Sequence, residues 1–170
     1  MALRNRGWKV RGQDIIGGYE DYYRKLGIPY DASPIEQLDL PESRLDLCTL
    51  IHVIEHLAEP GAALKRLAGW LKPGGRLLLM TPLAETLTAW LGGKSWYDMS
   101  EHVQFFTLRS LLTLAERSGL RPLYWRTRIG AEVETPFRAW RRSRIGGALR
   151  QLIETLDQGD VIELVMEKGT

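Results

Sequence analysis

The chain is 170 residues long, carries 23 Lys and Arg against 21 Asp and Glu, and is 44% hydrophobic. That length suits one domain spanning residues 1–170 with a single sizeable core, and the near balance of charge gives no argument for nucleic acid or an anionic surface as partner. One cysteine excludes an internal disulfide framework, no apolar run approaches the ~20 residues that span a bilayer, and no secretory leader pattern is present, so the default compartment is cytoplasmic.

Met1 to Arg6 reads as the last turns of a helix ended by Gly7. Trp8 to Gly12 reads as a strand running into Asp14, followed by Ile15 and a helix from Gly18 to Lys25 that stops at Gly27. Asp14 has two readings: a carboxylate presented at a strand end, or a cap for the following helix. Ile28 to Ala32 is a weaker strand, and Ser33-Pro34-Ile35-Glu36 follows it. Leu45 to Ile54 is almost unbroken apolar sequence with Asp46 as its charge, which predicts a strand covered on both faces of a parallel sheet. Cys48 lies in that run, where a buried, inert thiol is expected.

Pro60 opens a helix in which Leu64, Leu67, Ala68 and Leu71 fall on one stripe, and Pro73-Gly74-Gly75 stops it. Leu77 to Met80 is the next short strand. A strand, helix, strand unit of this kind closes as a right-handed crossover. Ligands in such sheets bind beyond the carboxyl ends of the strands, here around His52 to His56 and Thr81-Pro82. Leu83 to Met99 is a long connection with Trp90, Trp96 and Tyr97. Glu101-His102-Val103-Gln104-Phe105-Phe106 follows, and Thr107 caps a helix with the stripe Leu108, Leu111, Leu112 and Ala115, ended by Gly119. Trp90 and Phe106 either belong to a substrate lid or plug the end of the core. Leu123 to Thr127 and Val161 to Met166 are the last strands. Between them, at about 130–158, stands an inserted helical segment with the basic run Arg138-Ala139-Trp140-Arg141-Arg142-Ser143-Arg144, either a solvated helix face or a holder of a phosphate-bearing partner.

The tract Leu45-Asp46-Leu47, then His52-Val53-Ile54-Glu55-His56-Leu57, then Pro60, then Leu71-Lys72-Pro73-Gly74-Gly75, resembles the class I S-adenosylmethionine-dependent methyltransferases, and among them the ubiquinone-biosynthesis O-methyltransferases. The Glu101-His102 to Phe106-Thr107 segment is similar to the same group. The resemblance implies an α/β fold with a Rossmann-like, mostly parallel sheet, helices on both faces and an antiparallel last strand. It also implies S-adenosylmethionine as cofactor and a small-molecule substrate. By resemblance, Asp14 holds the ribose hydroxyls and Ile15 lies against the adenine. Ile35 and Glu36 stand at the adenine edge, with Asp31 and Asp39 as neighbouring acids, and Ile51 and His52 line the cofactor crevice.

One part of the family pattern is missing: an opening strand with a glycine-rich turn that approaches the methionine end of the cofactor. Gly17-Gly18 follows the acidic strand end and has the wrong spacing. In the family order 3-2-1-4-5-7-6 that first central strand is flanked on both sides, so its loss predicts two unpaired edges and self-association through them. The favoured account is an N-terminally truncated methyltransferase, inactive in this form. The others are a non-catalytic binding module and a sheet completed by a second chain.

Methyl transfer from a sulfonium is an in-line displacement governed largely by positioning. The candidate bases are His52, at the mouth of the central strand, and His102, in the lid, because imidazole titrates near neutral pH. Glu55 and His56 are expected to be structural, bonded to backbone at the strand-to-helix turn. His52-x-x-Glu55-His56 also matches the H-x-x-E-H pattern of inverted zinc metalloproteases. That chemistry needs both histidines on one helix, for which Pro60 leaves no room, so no metal is expected.

Overall fold

A computed structural model of the protein describes residues 3–92, 102–130 and 144–169, except for the side chains of residues 92 and 144–146. The chain divides into two compact units, Met1–Leu40 and Pro41–Thr170. In the first, Gly12–Gln13 (β1) and Tyr30–Asp31 (β2) pair in parallel, and Glu20–Lys25 (α1) lies between them in sequence. Both strands are shorter than their apolar runs predict. Trp8, Lys9 and Arg11 are exposed, so they have no buried face to extend the ladder before Gly12. The core of this unit is small, built from Ile28, Ile35 and Leu38, with Tyr23 stacked on Tyr30 at 4.7 Å between ring centres.

The second unit holds a four-stranded sheet of Leu45–Ile51 (β3), Leu71–Pro82 (β4), Leu120–Arg128 (β5) and Val161–Lys168 (β6) in the order β3-β4-β6-β5. β3 and β4 are parallel, and β6 runs antiparallel to both β4 and β5. Three of the four strands therefore share one direction and the last opposes them, as a mostly parallel sheet with an antiparallel final strand requires. Pro60–Trp70 (α2) makes the crossover from β3 to β4. Leu87–Gly92 (α3), Leu108–Arg117 (α4) and Arg144–Thr155 (α5) follow. The order within each sheet matches the 3-2 and 4-5-7-6 runs of the family order, and no strand among the described residues corresponds to its first strand.

The core is built from alternation in neighbouring strands. Leu77 faces Met166, Leu79 faces Leu164 and Thr81 faces Ile162, and all six are buried. Leu64 and Leu67 of α2 and Leu111 and Ala115 of α4 are also buried. Such burial contributes roughly 1.5–3 kcal/mol for each large aliphatic side chain. Thr107 begins α4 with a reciprocal cap, its hydroxyl accepting from Ser110 N–H while its own N–H donates to Ser110 Oγ.

Three expectations are corrected. The strand from Leu45 stops at Ile51, not Ile54, because His52 takes a left-handed φ of 50° and turns the chain. β3 is not covered on both faces: Asp46, Thr49 and Ile51 are exposed, and among the described residues its strand partner is β4 alone. The Pro-Gly-Gly stop lies inside β4, where pairing jumps from Leu45 with Leu71 to Leu47 with Arg76 and the intervening residues bulge. Gly74 there has φ 73°, and a side chain at Gly75 would meet the Lys72 and Leu45 carbonyl oxygens at 2.8 and 3.0 Å.

Candidate functional site

At the carboxyl end of β3 three features meet: Ile51, 47% exposed, His52, with its side chain 45% exposed, and Glu55, 1% exposed. His52 N–H donates to the Met80 carbonyl at 2.9 Å, which carries the ladder one residue past β3. The chain then forms a single 3-10 turn, Ile54–His56. Glu55 Oε1 lies 3.2 Å from His52 Nδ1, and Glu55 Oε2 accepts from the Thr81 hydroxyl at 2.9 Å. Burial pushes the Glu55 carboxyl up, but hydrogen bonds from His52, its own backbone N–H and Thr81 outweigh that and hold it below the ordinary carboxylate range. Its backbone carbonyl accepts from the N–H groups of Val103 and Gln104 at 2.9 and 3.0 Å. Glu55 thus ties the ends of β3 and β4 to the segment before α4. The expectation that it bonds only to nearby backbone missed both side-chain partners; Thr81, 26 positions away, carries no local signal of the contact.

His102, the other candidate base, is half-buried and packs edge-on to His56, with ring centres 4.9 Å apart, and near Phe105. Donor atoms of Glu55, His56 and His102 lie within 4.8 Å of one another, a set of types that metals accept. His52 and His56 do not lie on one α-helix, so the arrangement the H-x-x-E-H pattern needs does not form. Phe106 is buried and plugs the core, its carbonyl accepting from Ala84 N–H at 2.7 Å, whereas Trp90 is 74% exposed and plugs nothing. An open cleft of about 560 Å³ lies beyond β4, lined by Leu83 to Thr86, Thr107 to Arg109, Asp157 and Gln158 among others. Trp96, Tyr97, Glu101 and the basic run Arg138 to Ser143 lie outside the described residues.

In the first unit, Asp14 stands at the carboxyl end of β1. Its Oδ1 accepts from Ile16 N–H at 2.9 Å and its backbone N–H donates to the Asp31 carbonyl. It does not cap α1, whose N-cap is Tyr19. Ile15 beside it is 65% exposed. Of the acids near the predicted adenine edge, Asp31 is committed elsewhere: Ser33, through hydroxyl and N–H, and Arg11 hold its carboxyl below the usual range. Glu36 is exposed, while the Ile35 side chain is buried in the small core and offers a ligand only its backbone. Cys48 is half-buried, and burial pushes its thiol up to about 11, so at neutral pH it is not a nucleophile.

The family model described as a methyltransferase domain matches residues 2–124. The chain belongs to that family. Ubiquinone biosynthesis O-methyltransferase of Coxiella burnetii is 28% identical over 137 residues, which cover 72% of this chain and 58% of that protein. The chain therefore spans a little over half the length of this relative. Among solved structures, an S-adenosylmethionine-dependent methyltransferase from Mesorhizobium loti superimposes with TM-score 0.69 at 14% identity, covering 98% of this chain and 84% of that one. Burkholderia thailandensis 1,6-didemethyltoxoflavin-N1-methyltransferase, solved with its substrate and S-adenosylhomocysteine, gives TM-score 0.65 at 15% identity, covering 99% and 65%. At such identity these structures establish the Rossmann-like fold and not a substrate.

Proposed function

We propose that this protein binds S-adenosylmethionine and serves methyl transfer to a small-molecule acceptor. The observation that carries this reading is the carboxyl end of β1, where the Asp14 carboxylate is followed by an exposed isoleucine. A carboxylate at a strand end, with two oxygens in one plane, suits two vicinal hydroxyls, and Ile15 gives an aromatic base an apolar surface to cover. These residues, with Glu36, suit the nucleoside end of the cofactor, and the resemblance of the His52 to Leu57 tract supports a cofactor role for Ile51 and His52 at the carboxyl end of β3. No described residue is assigned to its methionine end. Bound, the cofactor supplies an electrophilic methyl group and a neutral thioether leaving group. The chain contributes orientation, and His52 takes a proton from the acceptor, with His102 holding the segment before α4 in place.

A second reading is a non-catalytic methyltransferase-like binding module, supported by β3 having β4 as its one strand partner among the described residues. Calorimetric titration of the purified chain with S-adenosylmethionine and S-adenosylhomocysteine tests the first step of both. The wild type should bind, and Asp14→Asn should weaken binding about 10- to 100-fold, the worth of a hydrogen bond to a charged acceptor. Absence of binding, or an Asp14→Asn variant with unchanged affinity, would falsify the assignment. Binding without methyl transfer to any acceptor of a screened panel of phenols and amines would favour the module.

A further inference from the structure

We infer that Glu55, anchored by Thr81, is a positioning residue that fixes the tautomer of His52, placing the proton on Nδ1 and leaving Nε2 as the basic nitrogen at the mouth of β3. The basic role of His52 rests on the methyl-transfer reading above; its tautomer does not. A buried acid is costly unless its oxygens find donors, and Glu55 has found two side-chain donors from different strand ends. The ionised carboxylate can only accept, so the 3.2 Å contact requires a proton on His52 Nδ1. The acid is not free to swing away: Thr81 holds its second oxygen, and Val103 and Gln104 hold its carbonyl. His52 itself stays in the left-handed region at φ 50°, a conformation rarely kept by a non-glycine residue unless its surroundings impose it.

A Glu55 that served only to tie β3 to β4 would work with either histidine tautomer, so the two roles separate spectroscopically. The chain has three histidines, which makes long-range nitrogen-proton NMR of the imidazoles assignable with single His→Asn variants. The wild type, above the pH at which His52 is protonated, should show His52 with the proton on Nδ1 as its major form. Glu55→Met, which offers Nδ1 no oxygen acceptor, should lose that preference, and Glu55→Asp should keep part of it. Once an acceptor is known, Glu55→Gln should lower kcat about 10- to 100-fold with little change in KM for the cofactor. An Nε2-protonated His52 in the wild type overturns the inference without any variant, and so does an unchanged tautomer in a folded Glu55→Met protein. Cofactor titration of the same samples keeps the two ideas apart: tautomer control without cofactor binding would sink the function and leave this inference standing.

Discussion

Thr81→Val probes the buried link between the two strand ends most directly. The substitution nearly preserves the shape of a fully buried side chain and removes the hydroxyl that donates to Glu55 Oε2 at 2.9 Å. Because Glu55 is also buried, water does not readily replace that donor. A hydrogen bond to a charged group contributes about 1.5–3 kcal/mol, so a loss of about 2 kcal/mol is expected. Thr81→Ser keeps the hydroxyl and deletes one methyl group, at a cost of about 1 kcal/mol. At roughly 2–4 °C per kcal/mol for a chain of this size, the valine variant should melt roughly 4–8 °C below the wild type. The pH dependence has a definite sign. Glu55 has a folded-state value below its unfolded one, so its stabilisation is complete above the unfolded value and is lost as pH falls through the folded value. Urea unfolding at neutral pH and again in mild acid should therefore show the Thr81→Val deficit shrinking on acidification. A valine variant as stable as the serine variant at neutral pH, or a deficit that ignores pH, would refute the link.

Two glycines should respond to alanine in opposite directions. At Gly75 the new methyl group meets backbone carbonyl oxygens, so Gly75→Ala should destabilise by about 1–3 kcal/mol. At Gly69, inside α2, it meets nothing within 4 Å, so Gly69→Ala should stabilise by about 0.4–1 kcal/mol. Equal signs in denaturant titrations would show that the bulge at the start of β4 is drawn wrongly. Cys48, with a thiol pushed from 9.0 to about 11, should react with iodoacetamide at neutral pH about 100-fold more slowly in the native chain than in urea. Equal rates would mean that the strand does not shelter it.

Where a signal was local, it was legible. The apolar stripe of α4, proline at the first position of α2, and the Thr107 cap are set by contacts within a few residues, and they emerged as expected; of the α2 stripe, Leu64, Leu67 and Ala68 are buried in the helix, while Leu71 begins β4. Asp14 stands just past the last residue of β1 and His52 just past the last residue of β3. The extent of β3 was not legible. An apolar run reads the same whether its strand lies in the middle of a sheet or, as here among the described residues, pairs on one side, so burial of Thr49 and Ile51 could not be judged from composition. The reach of β1 and β2 failed for a related reason, since apolar propensity does not reveal how little core there is to pack against.

Periodicity, caps and turn residues were enough to define the α/β class and the crossover around α2, because each depends on the order of neighbours along the chain; the family came from the resemblance carried by His52 to Leu57, Pro60 and Leu71 to Gly75. Which atoms meet around Glu55 depended on the register of β4 against β3 and on the segment before α4 folding back over both. That choice belongs to the assembled sheet: His52 is three residues from Glu55, but the Thr81 hydroxyl on its other oxygen and the Val103 and Gln104 N–H groups on its backbone carbonyl come from positions far apart in the chain.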